Sequence, residues 1–168
     1  MILIALGANL PSPAGTPEQT LRASLRTLSQ NGVVPVLLSR IYATPAWPDP
    51  ADPPFMNAVA AVETSLTPAE LMTELARTET AFGRVRTARN APRTLDLDLI
   101  DYHGRMEDGP PVLPHPRAHE RAFVLIPLAD VAPDWRHPVC GAGIGELIAA
   151  LPEAERKSVV PMAALSLG

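Results

Sequence analysis

Residues 93–102, RTLDLDLIDY, set two carboxylates, Asp96 and Asp98, two positions apart in a stretch that reads as a strand. Alternate side chains of a strand share a face. Leu95, Leu97 and Leu99 therefore make one apolar face, and the two acids share the other, about 7 Å apart. Aspartate is a poor strand former, and like charges at that spacing repel. A hard divalent cation would remove the repulsion. Mg²⁺ takes carboxylate oxygens and completes its shell with water and phosphate oxygens. A solvent-facing strand that happens to carry two acids is the plain alternative, and D-x-D alone does not choose between them.

The preceding residues strengthen the cation reading. From Thr80 to Leu95 there is no acid, and the stretch carries Arg84, Arg86, Arg89 and Arg93. Guanidinium forks suit phosphate oxygens, and arginines beside a two-carboxylate cation site can grip a triphosphate. The chain favours arginine throughout, with Lys157 its single lysine among 14 basic residues, so a basic solvated loop is the competing reading. Neither G-x-x-x-x-G-K-[ST] nor G-x-G-x-x-G occurs, which excludes the P-loop and the glycine-rich kinase loop.

Phe55 and Asn57 fall on one face of another strand. An aromatic plate beside a side-chain amide suits a flat heteroaromatic ligand, although a core Phe and a strand-edge Asn is the stronger reading from these residues alone. Phe123 carries the same ambiguity. His115 sits between prolines near Arg117 and Arg121, where it could donate to a phosphate or cap a helix. His115 and His119 have i, i+4 spacing, but Pro116 argues against a zinc-binding helix, and H-E-x-x-H is absent. Glu79 reads as a solvated helix residue. No G-x-S-x-G occurs, and Cys140 has no evident activator, so a covalent nucleophile is not supported.

These residues need a scaffold. The chain has 168 residues, 46% hydrophobic and 19% charged, which predicts one globular domain over 1–168. A net charge of −4 argues against general nucleic-acid or anionic-membrane binding. A single cysteine predicts a reducing, cytoplasmic setting. The opening MILIALGANLP lacks the basic region of a signal peptide, and no apolar run is long enough to span a membrane. Strands are predicted over 1–6, 33–42, 55–63 and 95–102. Two helices open at the capping boxes TPEQ and TPAE and stop at Gly32 and Gly83. The order β-α-β-β-α-β predicts a ferredoxin-like α+β fold, an antiparallel sheet with two helices on one face. Further helices are expected over HERAFVLIPLADV and IGELIAAL, followed by an apolar tail.

RNAPRTLDLDLI resembles the signature of the hydroxymethyldihydropterin pyrophosphokinases. ALGANL, YATPAW, FMNAVAAVET, GRVR and LPHPRAHERAFVLIPLADVAPD resemble further blocks of that family in the same order, over about residues 2–134. The resemblance implies a ferredoxin-like fold. It implies transfer of pyrophosphate from ATP to the hydroxymethyl group of a reduced pterin, leaving AMP, with two Mg²⁺ ions, in folate biosynthesis. It implies that Asp96 and Asp98 bind the metal and that Arg84 and Arg93 act beside them in catalysis. Thr44, Pro45, Trp47, Phe55, Asn57 and Phe123 correspond to the pterin side. Glu79, Arg86, Arg89, His115 and Arg121 correspond to the ATP side. Asn90 and Ala91 depart from the family's aromatic and glycine, and Ala76 from a polar residue. Small-molecule substrates and a monomeric state are expected. A ferredoxin-like module that holds a pterin or nucleotide for regulation without chemistry, and a Mg²⁺-dependent nuclease, are the competing classes. The first would not need the carboxylates and arginines together, and the acidic balance disfavours the second.

Overall fold

The computed structural model describes residues 1–46, 49–85 and 92–166; Trp47, Arg86, Arg89, Asn90 and Ala91 lie outside them. In chain order the elements are β1 (Ile2–Ala8), α1 (Pro17–Gln30), β2 (Val34–Leu38), β3 (Arg40–Thr44), β4 (Phe55–Glu63), α2 (Pro68–Ala81), β5 (Asp96–Tyr102), α3 (Ala122–Val131), α4 (Ile144–Ala150), α5 (Glu153–Ser158) and β6 (Val160–Ala164). A 3-10 turn, Ala118–Glu120, precedes α3.

Both helix starts follow from the local sequence. Thr16 accepts from the Gln19 N–H while the Gln19 side chain accepts from the Thr16 N–H, and Thr67 and Glu70 repeat the pattern at α2. After each helix the chain turns at a glycine with positive φ, Gly32 at 82° and Gly83 at 80°, which a side chain would strain.

The described strands form one sheet in the order β5-β1-β4-β3-β6, with β2 also paired to β4, and all these neighbours run antiparallel. This α+β arrangement is compatible with the ferredoxin-like prediction. The strand predicted over 33–42 is divided. At Ser39 the side chain takes the place of a ladder partner, its Oγ accepting from the Val59 N–H at 2.9 Å, and β3 restarts at Arg40. The helix predicted from His119 instead starts at Ala122, because Arg121 is extended (φ −121°, ψ 113°) and separates it from the 3-10 turn.

Alternation along the strands feeds two cores. Ile2, Ile4 and Leu6 of β1 join Leu97 and Leu99 under α1 and α2, where Leu21, Leu25, Leu71 and Leu75 are buried. Leu3 of β1, Val59, Ala61 and Ile100 face the other way onto Val124, Leu125 and Leu128 of α3. The prediction of helices on one face is therefore incomplete: the third helix covers part of the opposite face. The apolar tail also has a place, since β6 pairs with the outer side of β3 and Arg22 of α1 donates to the Ala164 carbonyl at 2.9 Å. No described helix is long and apolar enough to cross a membrane.

A carboxylate on α3 fastens that layer to the sheet. Asp130 accepts from the Arg40 N–H at 3.1 Å, from its Nη2 at 2.9 Å and from the Tyr42 hydroxyl at 2.8 Å. Burial alone would raise the Asp130 carboxyl, but its bonds from Arg40 and Tyr42 outweigh burial and hold it below its ordinary value. Burial and the neighbouring Asp130 push the Tyr42 phenol up to about 12. Tyr42 is buried and Arg40 exposed, so the phenol bond dominates. Asp130→Ala is expected to cost about 1–2 kcal/mol by orphaning the buried hydroxyl, read by urea denaturation. Tyr42→Phe should recover most of that loss in the Asp130→Ala background, and full additivity of the two changes would exclude this link.

Candidate active site

The sheet register assembles the site. On the α3 side of the sheet, Tyr42 pairs with Asn57, Asn57 with Gly7, and Gly7 with Asp96. These residues form a row across four strands. In the next row toward β3's end, Thr44 pairs with Phe55. Asn57 is buried, and its Nδ2 donates to the Thr44 Oγ1 at 2.8 Å, which orients the amide with Oδ1 toward Gly7. Gly7 leaves a gap between the amide and the carboxylate. A Cβ there would stand 3.2 Å from Asn57 Oδ1 and 3.9 Å from Asp96 Cβ. Two strand spacings, about 10 Å, separate Asn57 from Asp96 with no side chain between them.

Asp96 is held by two guanidinium groups. Arg84 Nη1 donates to its Oδ1 at 2.6 Å and Arg93 Nη1 to its Oδ2 at 2.8 Å. Arg84 also pairs with Glu79. Glu79 corrects an expectation, since it is 4% exposed rather than solvated. It accepts from the Leu97 N–H at 2.8 Å, so a helix residue fixes both the start of β5 and the arginine that meets Asp96. Its default reading failed because the helical period alone cannot show that this face of α2 meets β5.

Asp98 has no such fork. His115 Nε2 stands 3.9 Å from its Oδ2. Burial raises the Asp98 carboxyl above its ordinary value, and the charge of Asp96 raises it further, partly offset by His115, Arg121 and Arg84. Burial holds the His115 imidazole below its ordinary value against the pull of Asp98. The Arg121 guanidinium carbon lies 5.6 Å from the centre of the Phe123 ring, and the Arg93 carbon 5.8 Å from that of Phe55.

One cleft of about 1200 Å³ brings these groups together. It is lined by Thr44, Pro45, Phe55, Asn57, Arg84, Arg93, Asp96, Asp98, His115, Arg121 and Phe123, all anticipated from sequence. Phe123, 39% exposed, is therefore a cleft residue and not core. Glu79 does not line the cleft and supports it from behind. Ala76 lies in a separate shallow depression on α2 with Met72, Arg77 and Thr80. Sequence reading assigned no site role to Gly7, Arg117 or the wall from α5, where Glu155 and Ser158 reach the cleft. The glycine was legible as a turn signal, but its place opposite Asn57 and Asp96 exists only in the register. Among the described residues no cluster of three or more His, Cys, Asp or Glu could hold a metal.

The profile of the family described as 7,8-dihydro-6-hydroxymethylpterin-pyrophosphokinase (HPPK) matches residues 3–133. The chain belongs to the HPPK family. A Pseudomonas aeruginosa protein named 2-amino-4-hydroxy-6-hydroxymethyldihydropteridine pyrophosphokinase is 42% identical over 153 residues, 90% of this chain and 91% of that one. The folic acid synthesis protein fol1 of Pneumocystis carinii is 34% identical over 161 residues; these are 95% of this chain but only 21% of that protein. The Plasmodium falciparum HPPK-DHPS crystal structure superposes with a TM-score of 0.63 at 12% identity, over 88% of this chain and 44% of that one, a likeness of fold. The HPPK match ends before α4, so α5 and β6 are contributions from outside the matched region.

The raised Asp98 carboxyl has a consequence for stability. Its ionised form opposes folding above the ordinary carboxylate range; below that range both folded and unfolded chains carry the proton and the effect disappears. Asp98→Asn should therefore melt above the parent at pH 7, with the gap closing as pH falls toward 3. Asp98 keeps 37% of its side chain exposed, so screening limits the gain to a few degrees. Differential scanning calorimetry across pH checks this, and a lower melting temperature for Asp98→Asn at pH 7 would contradict it.

Proposed function

We propose that the chain transfers the β,γ-pyrophosphoryl unit of ATP to the hydroxymethyl oxygen of 6-hydroxymethyl-7,8-dihydropterin, releasing AMP, in folate biosynthesis. The observation that carries this reading is the row Asn57–Gly7–Asp96, which sets an oriented amide and a guanidinium-braced carboxylate on one open floor. HPPK membership supports the same reading.

The pterin lies on the Phe55 and Phe123 side. Its polar edge is read by the Asn57 amide and by backbone from Thr44 and Pro45, because an amide both donates and accepts. The triphosphate lies over β5 toward His115, Arg121, Arg84 and Arg93. In the reaction the pterin hydroxyl loses its proton, a bond forms from its oxygen to the β-phosphorus, and the bond from that phosphorus to the bridging oxygen of AMP breaks. Little covalent work falls to the protein. Positioning and charge stabilisation supply the rate. Arg84 and Arg93, already at Asp96, are within reach of the transferred group, and their charge offsets the negative charge it carries.

The residues fit Mg²⁺. Asp96 and Asp98 share one face, Asp96 accepts from two guanidinium groups, and Asp98 carries an electrostatic penalty that a cation would lift. These two would hold the ions, two in number, with phosphate oxygens and water completing the shells. When bound, Mg²⁺ polarises the phosphoryl group and lowers the pKa of the attacking hydroxyl. The protein acts as a cytoplasmic monomer: Pro35 in β2 and Pro161 in β6 blunt pairing at exposed strand edges, and its one cysteine, Cys140, is an exposed free thiol suited to a reducing compartment.

AMP formation from ATP, Mg²⁺ and the reduced hydroxymethylpterin tests the proposal directly. Asp96→Ala and Asp98→Ala should each lower kcat by about 10²-fold or more, as loss of a transition-state charge contact does. Production of ADP in place of AMP would overturn the reaction type, and AMP formation unaffected by either change would remove the pair from the chemistry.

A further inference from the structure

Asn9 follows directly after β1 and is 2% exposed. Its side chain joins two loops that are far apart in sequence. Nδ2 donates to the Pro53 carbonyl at 3.1 Å, and Oδ1 accepts from the Arg93 N–H at 2.8 Å. The Asn9 and Leu10 N–H groups both donate to the Arg93 carbonyl, each at 3.1 Å. The backbone of Arg93 is thus held on both polar sides from the end of β1. Pro53 stands two residues before Phe55, and Arg93 three before Asp96. The side chains close the circuit, since Arg93 donates to Asp96 and lies over the Phe55 ring.

The chemistry of the link selects asparagine. One partner is a carbonyl and needs a donor; the other is an N–H and needs an acceptor. Asparagine presents both from one planar group, aspartate only the acceptor, and an aliphatic residue neither. Pro53 is exposed and Arg93 half-buried, so loop backbone released from the buried Asn9 amide would turn to water and move. A shift of that kind displaces Phe55 or Arg93 relative to Asp96.

We propose that Asn9 is a positioning residue that holds the aromatic half and the phosphate half of the cleft in register, acting through Pro53–Phe55 on one side and Arg93 on the other. What the two halves bind rests on the pyrophosphokinase reading; the link itself does not.

The link is tested first without turnover. In Asn9→Ala, hydrogen exchange of the backbone amides of Arg93 and Phe55 should quicken by about tenfold or more, while that of the core strands, represented by Ile4 and Ala60, stays unchanged. Unchanged exchange at either loop would overturn the proposal whatever the reaction proves to be. AMP formation then separates positioning from general stability. Asn9→Ala should lower kcat by about 10²-fold, the scale of a misplaced reacting group. In an Arg93→Ala background the same change should cost less than about threefold, because the group being positioned is gone. Equal losses in both backgrounds would show that Asn9 does not act through Arg93. Asn9→Asp keeps the acceptor for the Arg93 N–H and lacks the donor for Pro53. It should weaken pterin binding, read by pterin fluorescence, about tenfold while leaving kcat within about threefold of the parent. A lost kcat with unchanged pterin binding would overturn the assignment of the two arms. Asn9→Asp also serves if Asn9→Ala does not fold. A parent protein that makes no AMP would defeat the reaction reading alone, leaving the exchange result to decide the link.

Discussion

Asp96 and Asp98 can share one strand face inside a cleft only while positive charge stands against them, and much of the surrounding structure meets that demand. Arg84 and Arg93 take the two oxygens of Asp96, and the charge of Arg121 acts on Asp98. Arg84 is itself anchored by the buried Glu79, which also accepts from the backbone of β5. The compensation is unequal. Asp96 has two forks, whereas Asp98 remains raised by burial and by its neighbour. A site that is fully neutralised has no use for a further cation. A carboxylate that is weakly paired and raised by burial and by its neighbour retains an electrostatic reason to bind one.

The sheet then serves as a ruler. Hydrogen-bonded strands fix lateral spacing far more tightly than loops do. Asn57, Gly7 and Asp96 belong to three adjacent strands in one register row, so the distance between the amide and the carboxylate cannot drift without breaking ladder bonds. Gly7 makes the row usable, because any side chain there would enter the space between them and press on the amide oxygen. Loops decorate this ruler, and the buried Asn9 amide limits their freedom by tying the two nearest ones to the end of β1.

Local sequence made the strands, both capping boxes and the two-residue acid spacing legible, because each depends on neighbours within four positions. Its limits lay where a partner is distant in the chain. Ser39 gives no sign that its hydroxyl will replace a ladder group opposite Val59. Glu79 sits on a helix whose period does not reveal a second buried face, and its partner Leu97 is eighteen residues away. Asn9 in GANL reads as a turn residue, and its partners are 44 and 84 positions on. The third helix was anticipated, but not the side of the sheet it covers. The resemblance supplied the cleft residues that spacing alone left open, such as Phe123, and said nothing of α5, which lies beyond the matched blocks.

The two faces of the sheet divide stability from function. On the α1 and α2 side the strands stay apolar along their length: Ile2, Ile4, Leu6 and Ala8 in β1, Ala58, Ala60 and Val62 in β4, and Leu97 and Leu99 in β5. On the α3 side the same strands change character midway. Leu3, Ala61, Val59 and Ile100 are packed under α3, and then Gly7, Asn57, Phe55, Asp98 and Asp96 open onto the cleft. Each strand therefore keeps one continuous buried face while giving up half of the other. That continuity is what allows like charges, a side-chain-free gap and a half-exposed aromatic to sit together without undoing the fold, since the apolar burial beneath them does not depend on what they bind. The cleft lies where the second helical layer stops short. The Asp130 contacts with Arg40 and Tyr42 hold that layer against β3, beside the strand end that carries Thr44 into the cleft.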